Sequence, residues 1–511
     1  MTVPLVHARP DDVVDTVPPG ASPARRQAFG VVLAIEFWER FGFYGMQAIL
    51  LLYLVQHLHM DEHTGNLMLG AFGMAVYVMP AIGGMVGDRF LGARRAVSCG
   101  AATMAMGYAA LGASVQAASL LFPALALIAV GNGLFKPNAG NLVRAIFDRD
   151  DAGLDAAFTL YYMAVNVGAA ISMLLTPWLQ DHYGAPTAFY ACALGLAVGL
   201  LYATIRRRLL DMATNSADQR HVPASRMGTM AAGFLLLVVL VAVVLAVPTL
   251  SAGCVVLAAI GLTGGWIALH RVAQATERAG LLLAYILSVQ SALYFLFYQQ
   301  MMTSLTLFAL HAVDGTFRIG GHVLFSMSAA QFESFNSFWI MGASPILAAL
   351  YAWAGRQGRD LSLAVKVSIG FALVAAAFAV WWQAALHAPD HGAGRVSPWS
   401  MVVGYGFLSI GELLIGGLGL AVIARYVPER FSGFMMGALY LLWGLAMYVG
   451  SMMANEAASS PASRSVETAA AFVPLFFHLF VIALVIAAVV GALLPVCKRL
   501  DRLHGSVIDH L

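Results

Sequence analysis

The chain has 511 residues, of which 60% are hydrophobic and 11% charged, with a mean hydropathy of +0.79. That balance excludes a soluble globular domain: repeated apolar runs of about 20 residues are the signature of a helical protein that crosses a membrane many times. The formal net charge of +2 gives no reason to expect a nucleic-acid partner.

The first 25 residues carry Asp11, Asp12, Asp15 and several prolines without an apolar core, so they read as a disordered tail and not as a cleaved signal. Fourteen spans follow, at about 29–56, 66–87, 96–116, 120–146, 155–179, 186–205, 228–247, 252–270, 280–311, 333–354, 362–386, 399–424, 431–455 and 470–496. Met227 to Leu269 holds no charged residue, which fits a structural or lipid-facing hairpin. Removing that hairpin leaves six spans on each side. The expected architecture is an all-α polytopic membrane protein with two six-helix bundles. The expected divisions are a tail (1–26), a bundle (27–206), a linker (207–226), the hairpin (227–271), a second bundle (279–497) and a tail (498–511). Of the 28 Lys and Arg residues, Arg40 and Lys136 lie inside spans and Arg318, Arg395 and Arg464 fall in loops on one side. The other 23 fall in the tails, in the loops of the opposite side or, as Arg144 and Lys366 do, at the span ends that border those loops. The positive-inside rule then puts both termini in the cytoplasm.

The first span contains Glu36-Phe37-Trp38-Glu39-Arg40-Phe41-Gly42-Phe43-Tyr44. Each ionisable group costs roughly 2.5–3.5 kcal/mol to place at a membrane centre, so such groups face a protein interior or a wet cavity. On a helix, Glu36, Arg40, Tyr44 and Gln47 share one narrow face, with Glu39 at its edge. The second span ends in Gly87-Asp88-Arg89-Phe90-Leu91-Gly92-Ala93-Arg94-Arg95, where Asp88 and Arg89 are candidate gating residues. This loop resembles the signature loop of the major facilitator superfamily. The fourth span places Lys136 beside Pro137 within Gly131-Asn132-Gly133-Leu134-Phe135-Lys136-Pro137-Asn138, an ammonium and a kink that together mark a cavity wall. The fifth holds Tyr161, Tyr162 and Asn166, and a late span holds Glu412, read as the only acid deep in the C-terminal half.

The cysteines, Cys99, Cys192, Cys254 and Cys497, lie in or beside apolar runs without metal-ligand spacing. No His or Cys pair supports a metal site, and no nucleophile–base pair or phosphate-binding loop points to an enzyme. His57, His59 and His63 read as solvated loop residues, as do Asp314 and Glu333.

Four motifs in order, E-x-x-E-R-F-x-x-Y, G-N-G-L-F-K-P-N, F-T-L-Y-Y-x-x-x-N-x-G and G-E-L-L-I, resemble the proton-dependent oligopeptide transporter family, a branch of the major facilitator superfamily. The resemblance covers about residues 29–495. Bacterial members are similar in carrying two extra helices between the bundles. It implies proton-driven import of di- and tripeptides across a bacterial inner membrane, without a cofactor beyond the proton gradient. It also implies roles for individual residues. Glu36, Glu39 and Arg40 would couple protons, and Lys136 would pair with them and hold the peptide carboxylate. Glu412 would take the amino terminus, Asn166 and Asn336 the polar backbone, and Tyr44 and Tyr77 would line the pocket. Gln47, Gln299 and Tyr440 complete the expected substrate-binding set.

The chain departs from the family pattern at three places. Where many members have an arginine and an acid bridging the outer gate, Gln47 and Tyr298-Gln299-Gln300 stand here, so the gate is expected to use a Gln47–Gln299 hydrogen bond or none. A pocket tryptophan is replaced by Leu439, and a Ser-Pro after the G-E-L motif by Gly416-Gly417.

Counting Glu36, Glu39 and Glu412 against Arg40 and Lys136 leaves the expected cavity one negative charge. One proton neutralises it and a zwitterionic peptide keeps it neutral, which makes the loaded centre cheaper to occlude. The proton falls to Glu36 or Glu39. The alternatives are another small solute (a modified peptide, an amino acid or an anion) or a peptide sensor that does not transport. A monomer is expected.

Overall fold

The computed structural model describes residues 23–147, 151–213, 224–358, 361–389, 395–416, 419–458 and 469–508. The expected N-terminal tail, apart from its last few residues, and residues 214–223 of the expected linker lie outside the described residues, as do Arg464 and Gly417.

Apolar segments in lipid must satisfy their backbone groups internally, so they become helices. The first bundle comprises α1 (Pro23–Leu52), α2 (Glu62–Val86), α3 (Ala93–Ala113), α4 (Leu121–Phe147), α5 (Asp151–Tyr183) and α6 (Ala185–Ile205). The intervening pair is α7 (Ala224–Ala246) and α8 (Pro248–Val272). The second bundle comprises α9 (Arg278–Met302), α10 (Ser304–His311), α11 (Ser334–Arg356), α12 (Leu363–Leu386), α13 (Trp399–Gly416), α14 (Gly419–Tyr426), α15 (Glu429–Ala458) and α16 (Val473–Ile508). Among the described residues, 13 helical stretches are long and apolar enough to cross a membrane. The helix α1 is long enough too, but Glu36, Glu39 and Arg40 in its apolar stretch leave it outside that count.

The expected spans fall on these helices, with two differences. The expected span 280–311 is interrupted at Thr303 (φ −120°, ψ −95°), which separates α9 from α10. Within the span 399–424 the described residues Trp399–Gly416 and Gly419–Tyr426 are helical. The last span continues as helix through Lys498 to Ile508. The architecture is not wholly helical: β1 (Thr316–Ile319) and β2 (His322–Ser326) form an antiparallel hairpin. Its loop is Gly320-Gly321, with φ of 59° and 86°. Two consecutive residues at positive φ match the tight hairpin turns that only small residues make easily.

The Gly131-Asn132-Gly133 segment shows how sequence sets packing in the first bundle. A Cβ at Gly131 would lie 2.7 Å from Met104 Cγ on α3, and one at Gly133 2.5 Å from Met79 Cβ on α2. The intervening Asn132 points at α1, donating to Glu39 Oε1 at 3.2 Å. One turn of α4 therefore meets three neighbours, and glycine is required on two of its faces.

The α7–α8 pair leaves most of its apolar surface outside, including Leu235, Leu240, Leu257 and Ile260. Its inward contacts are limited: Leu262 on α8 packs with Met74, Ala438 and Leu445. That distribution is what a lipid-facing hairpin requires.

The two bundles are joined at the end of the molecule away from the described chain ends. There His311 Nε2 lies 2.6 Å from Glu62 Oε1. Close by, Asn66 Nδ2 donates to Asn455 Oδ1 at 3.0 Å, and Gln331 Nε2 donates to the Leu174 carbonyl at 3.0 Å. The helices α2 and α15 pack tightly enough that a Cβ at Gly70 would sit 2.7 Å from Ser451 Cβ. Toward the other end, Tyr162 and Met163 on α5 are about half exposed.

Candidate functional site

The polar face expected on α1 is present and buried. Glu36 is 2% exposed, Glu39 0%, Arg40 3% and Gln47 8%. Arg40 Nε lies 3.1 Å from Glu36 Oε1 and 2.5 Å from Glu39 Oε2. One guanidinium thus serves two carboxylates, one a helical turn away and one its neighbour in sequence. Arg40 Nη2 and Glu36 Oε2 have no hydrogen-bond partner among the described residues. Two acids against one cation leave the group with capacity for one proton.

Lys136 stands apart from this group. Its Nζ lies 5.3 Å from the Tyr77 ring centroid, a cation–π distance. Among the described residues no carboxylate comes within 4.0 Å of it. The direct pairing of Lys136 with the α1 acids expected from the resemblance is absent in this conformation. Lys136 instead lies over Tyr77 and lines the same small space as Arg40.

Arg40, Tyr44, Gln47, Tyr77, Lys136, Tyr298 and Gln299 line one enclosed space of about 40 Å³. That is room for water, not for a peptide. A larger ligand therefore needs the bundles to move apart from this arrangement.

Glu412 on α13 is held by neutral donors. Tyr294 Oη donates to Glu412 Oε2 at 3.0 Å, and Asn336 Nδ2 donates to the same oxygen at 2.9 Å. Asn336 also donates to Ser409 Oγ at 3.1 Å. Asn336 therefore positions the carboxylate in this conformation. Asn166 is turned inward on its own helix, donating to the Tyr162 carbonyl at 2.8 Å.

An aromatic wall joins the bundles, and sequence reasoning saw only part of it. Leu439 is buried, but Trp443, one turn along α15, stacks on Phe295 with ring centroids 5.0 Å apart. Trp443 also meets Tyr77 edge-on at 6.1 Å and Tyr440 at 5.3 Å, and its Nε1 donates to Ser291 Oγ at 3.0 Å. Tyr440 is thus an aromatic neighbour of the cavity. The i+4 spacing from Leu439 to Trp443 was the available signal, since it puts both on one helix face.

Glu333 overturns two expectations about the far end, and the gate takes the second of its two expected forms, without a Gln47–Gln299 bond. Glu333 is not solvated: it is 3% exposed, and Gln47 Nε2 donates to its Oε1 at 3.2 Å. Gln47 and Gln299 do not bond each other. Gln299 Nε2 donates to Ser451 Oγ at 2.9 Å, and Gln300 Nε2 to the Gly450 carbonyl at 2.8 Å. Glu412 is therefore not the only buried acid of the second bundle. The cause is the short helical turn at Ala329–Glu333, which carries Glu333 into the seam between the bundles.

At the other end, Asp88 and Arg89 sit on an exposed π-helical turn, Gly87–Leu91, and Asn141 Nδ2 donates to Asp88 Oδ1 at 3.3 Å. Arg94 pairs with Asp211. His57, His59 and His63 are exposed, as expected, whereas Asp314 is half-exposed and paired with Arg318 at 2.6 Å.

Residues 94–470 match the model of the POT family. Dipeptide and tripeptide permease A of Proteus mirabilis (strain HI4320) is 37% identical over 431 residues, covering 84% of this chain and 86% of the relative. The protein of the same name from Yersinia pestis is 35% identical over 454 residues, 88% of each. A crystal structure of tetrameric PepTSo2 superposes with a TM-score of 0.84 at 40% identity, covering 93% of this chain and 99% of that one. A crystal structure of a peptide transporter POT in complex with sulfate gives 0.80 at 26% identity, covering 93% and 95%.

Proposed function

The chain belongs to the POT family, and from that premise we propose that it is a proton-coupled symporter importing di- and tripeptides across a bacterial inner membrane. The observation that carries this is the division of charge between the two bundles. The α1 group and Lys136 stand on the first bundle and Glu412 on the second, with aromatic walls between. A short zwitterionic peptide has one cation and one anion a residue or two apart, and walls of opposite sign grip both ends. Side chains then lie against aromatic surface without specific polar partners, which suits a broad substrate range.

In this reading Glu36, Glu39 and Arg40 form the coupling group, and Lys136 takes the peptide carboxylate. Its cation–π contact with Tyr77 is weak enough to be exchanged for a ligand anion. Glu412 takes the peptide ammonium while Tyr294 and Asn336 hold the carboxylate in place. Asn166 and Tyr440 complete the pocket, with Asp88 and Arg89 at the gate on the other side. The expected bundles, 27–206 and 279–497, rock about the cavity. The termini lie in the cytoplasm, the sealed end faces outward, and the proton gradient alone drives the cycle. One chain encloses the cavity, so a monomer suffices for transport.

The test is uptake of labelled dialanine into proteoliposomes, with and without an inward proton gradient, for the wild type and Lys136→Ala. Gradient-driven accumulation that Lys136→Ala abolishes supports peptide symport through this cavity. A folded wild type that exchanges another solute but never accumulates dialanine overturns the substrate assignment.

A further inference from the structure

The seam between the bundles holds an acid that the coupling group does not use. Glu333 lies on the helical turn that leads into α11, and Gln47 reaches it from α1. Its Oε1 accepts from Gln47 Nε2, and its Oε2 has no hydrogen-bond partner among the described residues. No cation comes within 4.0 Å of it among the described residues. The titratable groups facing it are neutral phenols, Tyr298 on α9 and Tyr405 on α13. From α10, His311 is engaged with Glu62. From α5, Asp181 lies near Ser328, five residues before Glu333.

Glu36 and Glu39 share an arginine, and Glu412 has two donors. Glu333 has one amide donor and almost no solvent. An ionised carboxylate in such a place is strongly unfavourable, whereas a carboxylic acid accepts the Gln47 bond at one oxygen and carries its proton on the other. Glu333 sits where two bundles meet, so opening the seam wets it and closing it removes the water.

We propose that Glu333 is a proton-binding site separate from the coupling group, loaded from the external side, whose occupancy allows the outer seam to close over Gln47. The inference rests on the proposed transport reading for the direction of the seam. Its chemistry is one proton passing from external water to Glu333 Oε2 before closure, and back when the seam reopens.

The experiment measures the seam without peptide or gradient. Spin labels go at Gln116→Cys and His387→Cys, exposed positions on the two bundles, in a background with the four native cysteines replaced. Pulsed dipolar spectroscopy then follows the short-distance population from pH 8 to pH 5. The expected result is a closed population that grows as pH falls, with that step lost in Glu333→Gln, which stays closed across the range. Gln47→Arg supplies a cation to Glu333 and is expected to close at high pH as well, so the two variants remove the same step by opposite chemistry. A pH step that survives unchanged in Glu333→Gln overturns the proposal, as does a wild type whose seam ignores pH. Because no substrate is used, failure of dialanine uptake would leave this readout intact.

Discussion

The two bundles carry their central acids in different electrostatic settings. In the first, Glu36 and Glu39 converge on Arg40 Nε at 3.1 and 2.5 Å. In the second, the partners of Glu412 among the described residues are the neutral donors Tyr294 and Asn336. The first group carries its own countercharge, so what it can gain or lose is a proton. The second lacks a cation, so what completes it is a cation from outside the protein, such as a peptide ammonium. The same residue type thus does proton work on one wall and ligand work on the other, decided by whether a guanidinium is beside it.

Breaking the second half of that comparison gives the larger effect. Glu412→Gln keeps the Tyr294 and Asn336 contacts in shape but removes the charge. A hydrogen bond to a charged group is worth about 1.5–3 kcal/mol, which corresponds to about 10- to 150-fold in affinity. Competition by unlabelled dialanine should show that loss. An N-acetylated dipeptide, which has no ammonium, should bind wild type and Glu412→Gln alike. Equal losses for both ligands would show that Glu412 does not meet the amino terminus.

A third carboxylate sharpens the contrast with a smaller effect. Asp61 lies outside the spans, exposed, and accepts from the Thr64 backbone N–H at 2.9 Å as the cap of α2. Hydrogen bonds from Thr64 hold its carboxyl below the ordinary range. Its stabilising contribution is therefore present above the unfolded value, near pH 4, and is lost as pH falls through the lower folded value. Asp61→Ala should cost about 1 kcal/mol of stability at neutral pH, read as a lowered Tm. The difference from wild type should narrow in acid, with dialanine affinity unchanged. A change in affinity would mean that the cap is coupled to the cavity.

The fold was legible because bilayer thickness and lone charges in apolar runs leave strong marks on a sequence. Arg40 and Lys136 pointed to a cavity, and the uncharged stretch after the linker to a lipid-facing pair. What was missed depends on where short irregular segments place a side chain. Glu333 reads as a loop acid in sequence, and only the turn at Ala329–Glu333 carries it inside. Trp443 was hidden by attention to Leu439, although both share a helix face. The hairpin at 316–326 had a signal in Gly320-Gly321 between apolar residues, which the search for long spans passed over. Lys136 shows the limit of spacing arguments. A motif places a cation near the acids, but the tilt of its helix decides whether it touches them.

The measurement that bears most directly on the division of labour compares two assays on Glu39→Gln in the same proteoliposomes. One is counterflow of labelled dialanine at equal pH on both sides, and the other is accumulation under an inward proton gradient. If Glu39 holds the coupled proton and Glu412 the peptide, counterflow persists while the accumulation ratio falls to about one, because binding survives and the driving ion no longer does work. Accumulation at the wild-type level in Glu39→Gln would contradict that assignment.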